Sequence, residues 1–87
     1  MEQGEVVFSI AGRDQGRFFA VIEVTDDKFV LIADGEYHTI EKPKKKKIKH
    51  LKSQEAVLEK IQTKLKSGTK IFDAELKSAL RAFNGSL

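Results

Sequence analysis

Short apolar segments alternate with polar turns through the first half of the chain. Three segments, Glu5–Ile10, Arg17–Val24 and Phe29–Ala33, are rich in β-branched and aromatic residues, and each predicts a strand. A fourth segment, Glu36–Ile40, alternates apolar and polar positions and follows Asp34-Gly35, a dipeptide typical of tight hairpin turns. Short strands at this regular spacing predict a small barrel or a fragment of a sandwich.

The second and third predicted strands are apolar on both faces. In the second strand, Phe18, Ala20 and Ile22 alternate with Phe19 and Val21. A sheet with one face in water would show apolar residues on one face only, so both faces must be covered. We expect one face to line a barrel and the other to need a cover from elsewhere in the chain.

The second half of the chain predicts two amphipathic helices that can supply this cover. After Ser53, a reasonable N-cap, apolar residues recur at spacings of three and four up to Gly68, which is placed as a C-terminal stop. Asp73 can cap a second helix that ends at Gly85. We interpret as core all six phenylalanines and the two helical stripes, which are Val57, Leu58, Ile61 and Leu65, then Leu76, Ala79, Leu80 and Phe83.

A chain of 87 residues has room for one domain. We therefore expect residues 1–87 to form a single α+β domain, with a barrel of four to five strands over residues 5–52 and a helical cover over residues 53–85. The absence of Cys excludes disulfides, thiolate zinc sites and cysteine nucleophiles, and favours a reducing compartment. The longest apolar run, Phe18–Ile22, is far shorter than the roughly 20 residues of a membrane span. Met1–Glu5 is acidic where a signal peptide would be basic, so we expect a cytoplasmic protein.

The formal net charge of +3 hides an asymmetry along the chain. Residues 1–41 carry three basic and nine acidic residues, whereas residues 42–87 carry thirteen basic and four acidic ones. Residues 42–52, the basic segment, hold seven lysines and no carboxylate. Such a block repels itself unless solvent or a polyanion neutralises it. Pro43 interrupts any sheet ladder, while Ile48 and Leu51 are placed to anchor a short fifth strand or a turn.

Residues 4–22 (GEVVFSIAGRDQGRFFAVI) combine an apolar strand, Gly12, a charged pair, Gly16 and a second apolar strand. Together with Asp34-Gly35 and the basic segment, this arrangement resembles the KOW motif, and the resemblance covers residues 4–51. It departs from that motif at Gln15, where lysine often stands. The resemblance implies an SH3-like β-barrel of KOW type. The chain looks most like the small KOW-domain RNA-binding proteins of bacteria, which are similar to KOW-class ribosomal proteins of the large subunit.

Lysine ammonium groups supply most of the affinity of such a module by meeting phosphates, largely independently of base identity. Arg13 and Arg17 flank the glycine loop and could fork onto phosphate or guanine, or could pair with a carboxylate of the acidic half. Strict alternation places His38 inward and Tyr37 outward, where it could stack on an unpaired base or be an ordinary surface tyrosine. The candidate RNA-binding residues are Arg13, Arg17, Tyr37, Lys42, Lys44, Lys45, Lys46, Lys47, Lys49, His50 and Lys52.

No catalytic motif appears, since HExxH, P-loop and G-x-S-x-G patterns are absent and the two His lie in different local settings. We therefore expect no enzyme activity, no metal and no cofactor. The leading hypothesis is a monomeric module that binds structured or ribosomal RNA in translation. The alternative is a protein-interaction module that docks on an acidic surface of the ribosomal or transcription machinery. Membrane attachment ranks last, because no insertion face or lipidation signal accompanies the lysines.

Overall fold

A computed structural model describes residues 1–85 of the chain. Within them, an antiparallel five-stranded sheet is followed by helices, which confirms the predicted α+β class. The strands are β1 (Glu5–Ser9), β2 (Phe18–Val24), β3 (Phe29–Ala33), β4 (Lys44–Lys47) and β5 (Leu51–Val57), and the helices are α1 (Glu59–Ser67), α2 (Asp73–Ala79) and α3 (Arg81–Asn84). A short 3₁₀ turn (Ile48–His50) connects β4 to β5.

The sheet is strongly curled, because its two edge strands are joined by that short turn. The strand order is β4-β3-β2-β1-β5, so β4 and β5 lie at opposite edges. In a flat sheet these edges would stand about 19 Å apart. The link from Lys47 to Leu51 spans at most about 14 Å even when fully extended. The edges therefore approach each other at one corner. They are not paired along their length, however, so the predicted closed barrel is not found among the described strands.

Both faces of the curled sheet are buried, as the sequence predicted. The inner cluster draws only on the sheet and the 3₁₀ turn, and its buried members are Val7, Phe19, Val21, Val30, Ile32 and Leu51. The outer cluster joins the opposite face to the helices through Val6, Ala20, Ala33, Ile61, Ile71, Leu76 and Leu80. The expected helical cover is therefore confirmed. The side chains of the inner face fill the interior of the curled sheet.

The fourth strand predicted at residues 36–40 is wrong, because a buried carboxylate folds this segment into a loop. Asp34 Oδ1 accepts hydrogen bonds from the backbone N–H groups of Glu36 and His38, each at 3.0 Å. The His38 carbonyl in turn accepts from the N–H groups of Asp34 and Gly35. Pairing with β3 resumes only at β4, where the lysine run itself forms the edge strand.

The helix predicted to begin at Ser53 is also wrong in its start. Residues 51–57 continue the sheet as β5 and pair with β1, and the helix begins at Glu59. Its predicted end is confirmed, because Gly68 takes the left-handed conformation at φ +72° and closes α1.

The last predicted helix is divided into α2 and α3, with the break at Leu80. Asp73 begins α2 without capping it, because its Oδ1 accepts the N–H of Ile40 at 2.8 Å and ties the loop to the helix. The stripe still packs in the outer cluster. Phe72, however, is 60% exposed, so the assignment of all six phenylalanines to the core is wrong at this position.

Candidate nucleic-acid interface

The basic segment forms an edge of the sheet rather than a flexible loop. Within β4, Lys44, Lys45 and Lys47 are exposed, whereas Lys46 is buried. Strand alternation separates Lys46 from Lys45 and Lys47, because Lys46 lies opposite Val30 of the inner cluster. Lys44 shares the face of Lys46 but is exposed at the start of the strand. We define the lysine edge as the exposed lysines of β4, the 3₁₀ turn and β5, which are Lys44, Lys45, Lys47, Lys49 and Lys52. Lys42 is exposed at the end of the preceding loop.

Lys46 points into the molecule and holds the glycine loop. Its Nζ donates to Asp14 Oδ1 and to the Ala11 carbonyl, both at 2.6 Å, and Ser9 Oγ donates to the same carboxylate oxygen at 2.8 Å. Burial raises the pKa of Asp14, but the hydrogen bonds from Lys46 and Ser9 outweigh it and hold this pKa below its ordinary value. The structure therefore does not bring Lys46 to the surface with its neighbours.

The first glycine of the KOW-like loop leaves space for this buried ammonium group. Gly12 has φ +89°, a conformation that favours glycine. A Cβ added there would lie 2.9 Å from Lys46 Nζ. The glycine loop thus encloses an internal lysine.

Arg17 is engaged within the molecule. Its Nη2 lies 3.6 Å from Asp34 Oδ2 and 3.6 Å from Glu36 Oε2, and its guanidinium stacks 4.3 Å from the centre of the Tyr37 ring. These contacts match the carboxylate pairing considered from the sequence, although the partners lie in the loop after β3. Arg13 is exposed in the glycine loop.

Tyr37, His38 and His50 lie in three different environments. Tyr37 is 63% exposed, as expected, although it lies in a loop and not in the strand from which that expectation was drawn, and Arg17 covers one side of its ring. His38 lies inward, with its ring 5.8 Å from that of Phe19 and its Nε2 3.8 Å from Asp14 Oδ2. His50 is half-buried in the 3₁₀ turn, and its carbonyl accepts the N–H of Ile10 at 2.9 Å.

Sequence reasoning missed Lys28, the single lysine of the acidic half. The backbone carbonyl of Lys28 accepts the N–H of Ile48 at 2.8 Å, which places the β2–β3 turn beside the lysine edge. Lys28 and Lys49 consequently line one shared groove. Nothing in the local sequence indicates this neighbourhood, because it depends on the pairing of β3 with β4, in which Phe29 lies opposite Lys47.

Residues 1–85 contain neither a metal-binding cluster nor a membrane-spanning helix. No cluster of three or more His, Asp or Glu side chains there could hold a metal ion. None of the helices in the same range has the length and apolar character needed to cross a bilayer.

A scan of the chain against models of known protein families finds no matching family. A comparison with curated protein sequences also finds no match.

Proposed function

We propose that this protein binds RNA through the lysine edge. The observation that carries the proposal is the display of five exposed lysines on β4, the 3₁₀ turn and the start of β5, within residues 42–52, which hold no carboxylate. Backbone pairing with β3 and β1 fixes these strands, so the charges are held at defined positions before a ligand arrives. A polyanion relieves their mutual repulsion and releases its own counterions on binding.

The lysine edge recognises the positions of phosphates and not the sequence of bases. Lysine presents a compact point charge without the planar fork of arginine, and Arg17 is already paired with Asp34 and Glu36. Such a surface suits structured RNA, including ribosomal RNA, in which several phosphates are fixed relative to one another. We assign no catalytic role to these side chains.

We also propose that the sheet is an SH3-like barrel of KOW type, opened along one seam. The short link between β4 and β5 and the apolar inner cluster support this type. The KOW-like glycine loop between β1 and β2 supports the same proposal, although its internal lysine contact gives it a structural task.

The RNA proposal is tested by removing three charges from β4 while leaving Lys46 in place. In the variant K44Q/K45Q/K47Q, we expect binding to a structured RNA to weaken. The slope of the logarithm of the binding constant against the logarithm of the salt concentration should become shallower by about 2 to 3. For wild-type protein, five phosphate contacts correspond to a slope of about −3.5 on single-stranded RNA. Fluorescence anisotropy across a salt series measures both quantities.

The matched control is K60Q/K66Q/K70Q, which removes the same charge from exposed lysines of α1 and the segment after it. We expect this control to bind nearly as wild type does. Equal losses in both variants would show unspecific attraction to net charge, and an unchanged affinity in the β4 variant would exclude the lysine edge. Sedimentation with ribosomes and with bulk RNA then tells whether ribosomal RNA is preferred.

A protein partner is the second candidate, because β4 is a sheet edge. An extended acidic segment could add beside it and place carboxylates against Lys45 and Lys47. Competition between RNA and an acidic peptide distinguishes the two candidates. If the protein is an RNA-binding module, added RNA should displace the peptide. If the peptide pairs with β4 as an added strand, it should stay bound in the presence of RNA and at high salt.

A further inference from the structure

A shallow groove lies between the β2–β3 turn and the 3₁₀ turn. Its volume is about 560 Å³, and it is lined by Asp27, Lys28, Phe29, Lys47, Ile48 and Lys49. Phe29 and Ile48 are half-buried and provide an apolar part. The three lysines and Asp27 are exposed around it.

The two walls of the groove are fixed before any ligand binds. The N–H of Ile48 donates to the Lys28 carbonyl at 2.8 Å and joins one wall to the other. Asp26 Oδ1 accepts the N–H groups of Lys28 and Phe29 at 2.8 and 2.9 Å and so holds the turn closed. Asp26 is thereby committed to the turn, and Asp27 is the carboxylate that lines the groove.

This combination of groups matches the parts of one nucleotide. Three ammonium groups suit a phosphate, the apolar surface suits the flat face of a base, and a carboxylate accepts hydrogen bonds from an amino group. The volume falls within the range of about 300–1,000 Å³ that small-molecule sites occupy. Lys45 Nζ, which lies 4.7 Å from the centre of the Phe29 ring, adds positive charge beside the groove.

We propose that this groove binds one unpaired nucleotide of the RNA and selects bases that carry an amino group. The phosphate lies against Lys28, Lys47 and Lys49, and the base contacts Phe29 and Ile48. The exocyclic amino group donates to Asp27. The proposal rests on the RNA-binding function above and adds a site to it, at a corner where the lysine edge meets the β2–β3 turn.

Cytosine and uracil provide the sharpest comparison, because they exchange hydrogen-bond donor and acceptor at position 4 and at N3, and the proposed pose sets position 4 against Asp27. Cytosine presents an N4 amino donor where uracil presents the O4 acceptor. A carboxylate accepts from the first and repels the second. Asp27 therefore favours cytosine, whereas lysines alone would bind both bases equally.

The test measures binding of fluorescent oligocytidine and oligouridine of eight nucleotides at fixed low salt. We expect wild-type protein to bind oligocytidine about five- to tenfold more tightly, as one charge-assisted hydrogen bond allows. In D27N the preference should fall to near unity, with tighter binding of oligouridine, because Asn donates as well as accepts. E23Q is the matched control, since Glu23 is an exposed acid of β2 outside the groove-lining set. It should keep the wild-type preference.

A second variant tests the phosphate part of the groove. K28Q/K49Q should weaken both oligonucleotides about equally while leaving the cytosine preference in place. Equal binding of the two oligonucleotides by wild-type protein, or a preference that D27N retains, would overturn the groove proposal. If the protein binds structured RNA but neither oligonucleotide, the groove proposal is also overturned, whereas RNA binding through the lysine edge is retained. Failure to bind any RNA at low salt would overturn both proposals.

Discussion

Lys46 and Asp14 form a pair of charges taken almost entirely out of water. The side chains of both residues are only 8% exposed. Removing an ammonium group and a carboxylate from solvent is costly, and here the cost is offset by their direct contact and by the further hydrogen bonds from Ser9 and to Ala11. One lysine of a run of four therefore serves the fold, while its neighbours face solvent.

Replacing Lys46 alone should destabilise the protein by about 3 kcal/mol, because Asp14 loses its partner and remains buried. We expect K46M to show this loss in urea unfolding followed by circular dichroism. K45M, at an exposed position of the same strand, should change stability by less than about 0.5 kcal/mol.

The double variant D14L/K46M should recover part of the loss, since an apolar pair leaves no unpaired charge behind. A double variant as unstable as the sum of the two single variants would show that the two groups act independently.

The lowered pKa of Asp14 gives this pair a defined pH dependence. A carboxylate with a depressed pKa in the folded state stabilises the fold above its ordinary value of 3.8. That contribution is lost as the pH falls below this value and Asp14 becomes protonated. We expect the urea midpoint of wild type to fall more steeply between pH 5 and pH 3 than that of D14N. Parallel curves for the two proteins would contradict the assignment.

At the scale of elements, β5 is the strand that departs most from regular geometry. Its pairing with β1 shifts register between Glu5 and Val7, and Glu55 takes φ +54° at this irregularity. The N–H of Glu55 donates to Ser53 Oγ at 3.1 Å, which supports the bend. A side chain in the left-handed region costs energy that glycine avoids.

Replacing Glu55 with glycine should therefore stabilise the protein by about 0.5–1 kcal/mol. Q54G, one residue earlier and at negative φ, should instead lower stability by a similar amount. Urea unfolding of the two variants measures the difference, and a loss of stability in E55G would show that the bend tolerates its present residue without strain.

The elements that local pattern alone defines were predictable from the sequence. The three apolar strands, the end of α1 at Gly68 and the burial of both sheet faces follow from composition and period. The wrong fourth strand and the late start of α1 have another cause. At residues 36–40, the Asp34 carboxylate binds the nearby N–H groups of Glu36 and His38, a local turn that competes with a strand. At residues 53–57, pairing with the distant β1 overrode the local preference for helix.

The candidate site follows the same division. The excess of lysine in residues 42–52 is visible in the sequence. The burial of Lys46 and the proximity of Lys28 are not, because both depend on the register in which β4 pairs with β3.

At the scale of the whole molecule, the concentration of like charge on one edge opposes folding. Lysines on a common edge repel one another, and the repulsion is screened at high salt. We expect K44Q/K45Q/K47Q to be more stable than wild type by a few tenths of a kcal/mol at low salt. The difference should vanish near 1 M salt, where the screening length is about 3 Å. A variant that is less stable at every salt concentration would show that these side chains support the fold through their stems.

The pairing of the first strand with the fifth sets the order in which the chain can fold during its synthesis. β1 meets β2 almost at once, but its other edge waits for β5, about forty residues later in the sequence. At roughly 5–20 residues per second, that edge stays open for about 2–8 s. Over the same interval Asp14 lacks Lys46 and the inner cluster lacks Leu51. The acidic half, with an unpaired strand, therefore leaves the ribosome before the lysine edge does.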